Sequence, residues 1–400
     1  MASFAGYMPP PEPQGYRVVD RLAFTLAGAF IVLASLYAGN VTSVRNGVLV
    51  VAGALLGVAL YHASFGFTGG WRAFVREGKS ASLRAQFLLL AITTCLLVPV
   101  IAVGSIAGHP VNGFVVPIGL PLLAGAFLFG LGMQLGGGCG SGTLFTVGGG
   151  SVRMLVTLIA FVAGSMLGVA HAPAWNQLPS VEGIVLWQTL GVLPTLACTL
   201  AVLGILAFLA GRRELKRTGR LAPLGSAASP ARLLTGPWPL LWGSLALAGL
   251  SLVTLLVAGH PWGITGAFAI WGAKALALAG VDVAGWQAWS SPGSQAQLRA
   301  SLFAHPISAM DIGLIAGAMM AAGLAGKFAP KVDLSVGSMV AAIVGGLLMG
   351  YGARLSSGCN IGALLGGIAS GSLHGWIWFA MAFAGSLAGI RLRPSFRLTG

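Results

Sequence analysis

The chain contains two glycine-rich segments that are copies of each other, and each copy carries one cysteine at the same position. From Gly130 the first copy reads Gly-Leu-Gly-Met-Gln-Leu-Gly-Gly-Gly-Cys-Gly-Ser-Gly-Thr-Leu-Phe. From Gly350 the second reads Gly-Tyr-Gly-Ala-Arg-Leu-Ser-Ser-Gly-Cys-Asn-Ile-Gly-Ala-Leu-Leu. The two cysteines are Cys139 and Cys359. Glycine-broken hydrophobic segments in corresponding places of two halves are typical of transporter binding sites. The repeat therefore predicts two related halves with a shared site.

The amino-acid composition indicates that the chain folds in a lipid membrane rather than in water. Of its 400 residues, 56% are hydrophobic and only 8% are charged, whereas a soluble protein is about 25% charged. Apolar runs near 20 residues long predict membrane-spanning helices, because lipid demands internally satisfied backbone groups. The formal charge of +14 comes from short basic loops beside these runs, which is typical of membrane orientation. We expect no nucleic-acid partner.

The apolar runs predict an all-α polytopic membrane protein with about ten transmembrane helices and four short re-entrant or broken helices. The predicted crossings are 21–38, 47–63, 83–104, 114–136, 152–170, 185–210, 239–259, 312–326, 336–355 and 373–390. The shorter segments are 66–74, 140–147, 263–278 and 360–368. Each half then has an odd number of crossings, so the second half enters the membrane from the opposite side. This arrangement is a pair of inverted repeats.

The predicted domain organisation follows from the crossings. A tail at 1–20 precedes a first five-helix repeat at 21–171, an outer loop at 172–184 and a second repeat at 185–390, with a final tail at 391–400. The second repeat includes a linker at 211–236. If the N-terminus lies inside, nearly all lysines and arginines fall in cytoplasmic segments, as the positive-inside rule requires. We therefore expect both termini and the linker to be cytoplasmic.

The cysteine breaks are the strongest candidate site. Glycines flank both thiols at Gly138, Gly140 and Gly358, and they prevent a continuous helix and let a ligand approach the backbone. A short helix that starts just after each cysteine would direct free amides and its positive dipole end at the break, which favours an anion. Asn360 follows the second cysteine. A membrane cysteine on its own is usually a packing residue, but duplication at equivalent breaks favours a functional role.

The remaining candidates are less specific. Thr68 and Thr265 lie in a second repeated motif, Gly-x-Thr-Gly, and each hydroxyl could bind substrate or simply bond a helical carbonyl. Lys274 lies in an apolar stretch, where an ionisable residue indicates function by default; the alternative is that it extends to the membrane interface. Cys95 and Cys198 lie in continuous apolar runs, so we expect them to be packing residues.

No metal site is predicted, because the cysteines lack ligand spacing and acidic residues number only 8. No phosphate-binding Gly-x-x-x-x-Gly-Lys loop is present, so ATP hydrolysis by this chain is not expected. No catalytic residues and no cofactor are predicted.

The motifs around both cysteines, together with Gly-His-Pro-Trp-Gly-Ile-Thr-Gly from Gly259 and Ser-Gly-Ser-Leu-His-Gly-Trp from Ser370, resemble the YeeE/YedE family of sulphur-compound (thiosulfate-type) membrane transporters. The resemblance implies uptake of thiosulfate across the bacterial inner membrane, with thiols that pass the anion on by S–H···S hydrogen bonds. It also implies a small inorganic sulphur anion as substrate and a small cytoplasmic sulphur-carrier protein as a candidate partner.

One position departs from that family. Gly66 stands where the thiosulfate importer of the family has a further cysteine, so another small sulphur or selenium species, or a different inorganic anion, stays open as substrate. Two other functions stay open as well. A membrane enzyme could transfer sulphur or exchange thiol and disulfide through Cys139 and Cys359, although it should place an acid or base beside its nucleophile. A non-transporting scaffold would give no reason for duplicated breaks.

Overall fold

The computed structural model describes residues 19–106, 108–225, 231–330 and 335–398. The first half contains α1 (Arg21–Val41), α2 (Val44–Ala63), α3 (Phe67–Glu77), α4 (Ala81–Val103), α5 (Leu120–Gly136), α6 (Gly140–Gly148) and α7 (Val152–Trp175). The second half contains α8 (Leu186–Leu190), α9 (Val192–Thr218), α10 (Ala231–Thr235), α11 (Leu240–Ala258), α12 (Thr265–Leu278), α13 (Pro292–Arg299), α14 (Pro306–Leu324), α15 (Val336–Leu355), α16 (Gly367–Ala369) and α17 (Leu373–Leu392).

Irregular helices and short strands complete the description. A π-helix covers Asn360–Gly366, and 3-10 turns lie at Gln287–Trp289, Leu302–Ala304 and Arg393–Phe396. The strands pair as β1 (Ser105–Ile106) with β2 (His109–Pro110), and β3 (Ile118–Gly119) with β4 (Ser180–Val181), all antiparallel. The predicted tail as far as residue 18, linker residues 226–230, and residues 331–334 and 399–400 lie outside the described residues.

Ten segments of the described chain are long and apolar enough to cross a membrane. Two of them, Val44–Glu77 and Leu120–Gly148, consist of two α-helices in series, and a third, Val336–Ala369, consists of α15, the π-helix and α16. The prediction of an all-α polytopic membrane protein with about ten crossings is confirmed. The short helices α3, α6 and the π-helix with α16 each extend such a crossing after a break, and α12 stands alone.

Several predicted boundaries differ from those observed. The crossing predicted at 114–136 starts only at Leu120, because Pro121 suits the first turn of a helix and the preceding residues pair as β3. The run at 185–210 is divided by Gly191 into α8 and α9, and α9 continues as far as Thr218. α14 begins at Pro306 rather than at residue 312, and it therefore carries an acidic residue, Asp311, inside the helix.

The helices pack in pairs that correspond between the two halves. α5 packs on α17 and α7 packs on α15; likewise, α2 packs on α14 and α4 packs on α11. In the sequence repeat, α5 corresponds to α15 and α7 to α17, while α2 corresponds to α11 and α4 to α14. Replacing each helix by its counterpart converts the pair α5–α17 into α15–α7 and the pair α2–α14 into α11–α4. The internal sequence repeat is therefore also a repeat of tertiary packing.

The counterparts α5 and α15 run antiparallel. Gly125 lies against Gly352, and Gly132 lies against Gly345, so residue numbers rise along one helix as they fall along the other. A Cβ at any of these glycines would meet opposing backbone atoms, which is how small residues let membrane helices approach closely. Antiparallel packing of equivalent helices is the geometry that an inverted repeat requires. The exact bounds of the two repeats stay a prediction.

Candidate functional site

The two cysteine breaks have the same backbone geometry. Gly137 and Ser357 occupy the same place in the repeat, and both are left-handed, with φ of 93° and 58°. One residue later, Gly138 and Gly358 pack against the first turn of the helix that follows, where a Cβ would come within 3.1 and 2.6 Å of backbone atoms. Ser357 holds a conformation that L-residues other than glycine, asparagine and aspartate rarely adopt. The chain thus reverses sharply before each cysteine.

Each thiol caps the helix that starts after it. Cys139 Sγ accepts a hydrogen bond from Gly142 N at 3.4 Å, and Cys359 Sγ accepts one from Ile361 N at 3.4 Å. Both cysteines are buried, with 1% and 0% of their surface exposed. Ser141 Oγ lies 3.5 Å from Cys139 Sγ. Both sulphur atoms therefore lie at positive helix ends, as the sequence predicts.

The two breaks meet inside the bundle. A Cβ at Gly140 would come within 3.0 Å of Cys359 Sγ, so the start of α6 lies directly against the thiol of the other half. The break before α12 joins them: Ile264 lies 3.6 Å from the same Cβ position, and Pro261 lies 3.7 Å from a Cβ at Gly366 of the π-helix. Glycine at position 140 is what allows this approach, because any side chain there would press on the thiol.

Among the described residues, Asn360 and Trp262 have buried polar groups at this junction without a hydrogen-bond partner. Neither Asn360 Nδ2 nor Oδ1 is bonded, although the residue is completely buried. The indole Nε1 of Trp262, in the break before α12, is also buried without an acceptor. Unpaired buried polar groups cost about 1–3 kcal/mol each and are rare in native proteins. Such groups are well suited to a ligand that supplies the missing acceptors.

Unfilled space accompanies these groups. Gly362, three residues after Cys359, is buried, yet a Cβ built there would meet no atom within 4 Å. A Cβ at Gly66 would also meet no atom within 4 Å, but Gly66 is only half-buried; its φ of −121° is open to any residue. Protein interiors are normally close-packed, so enclosed space beside a thiol indicates room for a small molecule.

A cavity opens next to the second break. It has a volume of about 520 Å³, and Arg354 and Ser357 lie in its lining, both with exposed surface. Ser357 is only two residues before Cys359. The cavity therefore offers a positively charged approach to the thiol of the second half.

A second cavity, of about 510 Å³, lies where α4 and α11 end, and Arg45, His109 and His260 are in its lining. Burial lowers the pKa of His260, and the nearby charge of Arg45 lowers it further. His260 is therefore uncharged at neutral pH, and Arg45 supplies the fixed positive charge.

Arginines gather at the other end of the site. Arg153 donates two hydrogen bonds of 2.8 Å and Arg393 one of 2.7 Å to carbonyls of residues 134–136, at the C-terminus of α5. Arg72 and Arg76 lie close enough to Arg393 for their charges to interact. We call these four residues the arginine cluster. It neutralises the negative end of the α5 dipole just before the Cys139 break.

The other predicted site residues are placed differently. Thr265 begins α12, directly after Ile264, and so belongs to the junction. Thr68 lies in α3 with its hydroxyl buried and unbonded, and its carbonyl accepts a bond from Gln134, five residues before Cys139. The structure does not bring Lys274 to the thiols: its Nζ donates to the carbonyls of Leu298 and Ala300 at 2.6 Å.

The two other cysteines do not contribute to the junction. Cys95 in α4 and Cys198 in α9 both have exposed surfaces. Within the described residues no group of His, Cys, Asp and Glu side chains could hold a metal ion.

Sequence reasoning missed Trp262 and Asp311. Asp311 could have been found, because it is an ionisable residue inside an apolar run; the predicted crossing simply started one residue too late. Trp262 gave no comparable signal, since an unbonded indole can be recognised only from its surroundings.

Comparison with known proteins gives a consistent result. The profile of a family described as sulphur transport matches residues 62–388. The chain is 34% identical over 164 residues to the probable transporter YedE of Escherichia coli (strain K12), which covers 40% of each chain. The YedE of Salmonella typhimurium is 35% identical over 36% of this chain and 35% of its own length. The chain thus matches well under half the length of these YedE relatives.

Two longer matches have lower identity. The thiosulfate transporter TsuA of Spirochaeta thermophila is 26% identical over 82% of this chain and 93% of its own length. The thiosulfate transporter TsuA of Escherichia coli (strain K12) is 25% identical over 84% of this chain and 91% of its own length.

Proposed function

The chain belongs to the sulphur transport family, and we propose that it is a transporter or selective channel for a small sulphur-containing anion, thiosulfate or a related species. The family membership confirms the resemblance inferred from the cysteine motifs. One observation carries the proposal: two buried thiols lie at helix breaks that meet, beside the unbonded amide of Asn360. This combination offers hydrogen-bond donors for both the terminal sulphur and the oxygens of a sulphur oxyanion.

The donors divide between the two ends of such an anion. The Cys359 thiol would donate to the terminal sulphur, while Asn360 Nδ2 and Trp262 Nε1 would donate to the oxygens, which satisfies groups that are otherwise unpaired. The first turns of α6 and the π-helix add free amides and positive dipole ends. Two helix ends therefore contribute fixed positive potential without a fixed positive charge.

The anion would move when its hydrogen bond to one thiol is replaced by a hydrogen bond to the other. Arg354 attracts it into the adjoining cavity, and Cys359 receives it. Cys139 then accepts it past Gly140, which has no side chain of its own. A neutral thiol holds an anion less tightly than a fixed positive charge would, which suits conduction because a site must release what it binds. The arginine cluster then draws the anion out beyond Cys139.

The names of two relatives support thiosulfate as the substrate. TsuA of Spirochaeta thermophila and TsuA of Escherichia coli are thiosulfate transporters and align with more than four fifths of this chain. Gly66 leaves a two-thiol path here, and the empty space beside it would accommodate a larger sulphur or selenium species.

We further propose a location and a partner. Basic residues, among them the arginine cluster, would face the cytoplasm of a bacterium, with the protein in the inner membrane and both termini inside. A small sulphur-carrier protein would receive the anion at this basic surface. Reporter fusions at residue 213 test the orientation, and an external location of that residue would contradict it.

The test of the function is uptake of radiolabelled thiosulfate by proteoliposomes that contain the purified protein and no sulphur donor or acceptor. We expect unmodified thiosulfate to accumulate inside, and the double variant Cys139→Ala, Cys359→Ala to reduce uptake to the level of empty vesicles. Recovery of the label as sulphite or a protein persulfide would instead favour a sulphur-transfer enzyme that uses the same two thiols.

A further inference from the structure

Asp311 is an acidic residue without any partner in the middle of a membrane protein. It lies in the second turn of α14, 0% of its surface is exposed, and neither carboxyl oxygen has a hydrogen-bond partner. Ionisable residues within membrane helices are costly, and they mark substrate paths and proton relays. The proposed path makes no use of this residue so far.

Asp311 faces the junction of the breaks. Ser308 and Ile315 flank it at helical spacing on one face of α14. Ser308 accepts a hydrogen bond from Trp271 of α12 at 2.7 Å, and the Ile315 carbonyl lies against Gly148 of α6. The carboxyl is also close enough to Cys359 for a charge on the carboxyl to act electrostatically on that thiol. Asp311 therefore lies between α12 and α6, beside the second thiol.

Within the part of the chain that the structure describes, no charged group forms an ion pair with Asp311. The elements packed on α14 are α1, α2, α6, α10, α12 and the turn at Leu302–Ala304. The titratable or charged residues in these elements, or next to their ends, are Asp20, Arg21, Tyr37, Arg45, Tyr61, His62, Cys139, Arg232, Lys274 and His305. None of these forms a hydrogen bond with the carboxyl of Asp311, and the ammonium of Lys274 is bonded to two carbonyls.

The charge state of this carboxyl decides whether an anion can occupy the site. Burying an unpaired carboxylate costs several kcal/mol, and a carboxylate beside Cys359 would also repel an anion held by that thiol. A proton on Asp311 removes both penalties. Anion and proton would then occupy the site together.

We propose that Asp311 is the proton-binding residue of the path, and that the protein carries a proton with each anion. The inference rests on the proposed function and adds the coupling to it. Linkage is reciprocal: if protonation of Asp311 favours the anion, the bound anion favours the proton by the same factor. The protein would accordingly take up protons as the anion binds, up to one per anion, over the pH range in which Asp311 is ionised in the empty site and protonated in the occupied one.

Proton uptake on anion binding tests this directly. Thiosulfate is added to the purified protein in weakly buffered solution with a pH indicator, and binding is measured by calorimetry in parallel. The measurement is repeated over a series of pH values, and we expect the solution to become more alkaline on binding, by up to one proton per bound anion, at the pH values where Asp311 is ionised in the empty site. With Asp311→Asn, which keeps the shape but cannot ionise, we expect no proton uptake and a thiosulfate affinity independent of pH. Asp311→Glu should restore proton uptake.

Asp282→Asn is the matched control, because Asp282 is exposed in a loop and its oxygen accepts only backbone N–H bonds. This variant should behave as the parent protein does. In proteoliposomes, an inwardly directed proton gradient should raise thiosulfate uptake by the parent and by Asp282→Asn, but not by Asp311→Asn.

Two outcomes would overturn the coupling and leave the transport function standing: the parent binds thiosulfate without proton uptake at every pH of the series, or Asp311→Asn still responds to the proton gradient. Failure of the parent to bind or take up thiosulfate at all would contradict the proposed function itself, and the coupling to this anion with it.

Discussion

The two cysteine breaks share a backbone but differ in how well their polar groups are satisfied. At the first, Cys139 has the Gly142 N–H and the Ser141 hydroxyl beside its sulphur, and a regular α-helix follows. At the second, Cys359 receives one N–H bond, a π-helix follows, and the amide of Asn360 is unbonded. The two copies share the sharp reversal of the backbone before the cysteine, but they differ in the polar groups around the thiol and in whether those groups are hydrogen-bonded.

This difference in hydrogen bonding indicates separate functions for the two halves. Unsatisfied donors gain most from a ligand, so the second break should hold the anion and the first should pass it on. π-helical segments inside helical proteins are frequent at functional sites, which agrees with the second break as the binding half. The predictions that follow are comparisons between the halves.

The largest expected effect is that of Cys359→Ala. A hydrogen bond to a charged group contributes about 1.5–3 kcal/mol, so its loss should reduce thiosulfate uptake about tenfold or more. Cys139→Ala should reduce uptake less, because the Ser141 hydroxyl remains as a donor. Cys95→Ala and Cys198→Ala are matched controls with exposed thiols and should transport normally. A larger loss for Cys139→Ala than for Cys359→Ala would reverse the assignment of functions.

Asn360→Leu should weaken transport while it stabilises the fold. Removing an unpaired buried amide relieves a penalty of about 1–3 kcal/mol, whereas loss of a donor to the anion should raise the KM for thiosulfate about tenfold. Kinetics and thermal unfolding of the same preparation measure the two effects. Asn46→Leu is the control, because this buried amide bonds Thr42 and Ala304 and its loss should lower Tm. A parallel fall in Tm for Asn360→Leu would show a structural role only.

Substitution of two glycines of the second break should affect different properties of the protein: uptake in one case and stability in the other. Gly362→Ala adds a methyl group to empty space and should reduce uptake a few-fold by narrowing the path, with folding intact. Gly358→Ala places a Cβ within 2.6 Å of Ala363 N, and overpacking of this kind costs about 1–3 kcal/mol. We expect lower stability from it. Unaltered uptake by Gly362→Ala would mean that the space beside Gly362 is not part of the path.

The smallest effect expected is an increase in thiosulfate uptake. Gly66→Cys adds a thiol where the structure leaves open space and an ordinary backbone conformation. If a third thiol assists the anion, thiosulfate uptake should rise a few-fold while sulphate uptake stays unaltered. Gly69→Cys, three residues away and equally unobstructed, is the control and should give no gain. Equal gains for both variants would indicate a nonspecific effect of the new thiol.

The sequence predicted the fold well because apolar length decides membrane crossings. The bounds of α15 agree with the prediction, and the α6 and π-helix segments begin where glycine density placed them. The start of α14 was wrong, because the predicted crossing began only after Asp311, whereas the helix includes this residue and buries it. Its position in an apolar run could have drawn attention to it, but its burial depends on how the surrounding helices pack.

The site was only partly predictable. Repeat symmetry placed both cysteines together, and Asn360 followed from its position next to the second. The contact of Cys359 with Gly140, and the approach of Ile264 from α12, depend on how distant helices meet, and no spacing in the sequence encodes that. For the same reason Lys274 could not be separated from the path until its carbonyl partners were seen.

The position of the bound anion tests the central claim most directly. A structure of the protein with thiosulfate, in which anomalous scattering locates the terminal sulphur, would show which groups it contacts. We predict that this sulphur lies at hydrogen-bonding distance from the thiol of Cys359, with the oxygens directed at Asn360 and Cys139 next along the path. Thiosulfate bound only in the outer cavities, with the junction of the two breaks empty, would contradict the account.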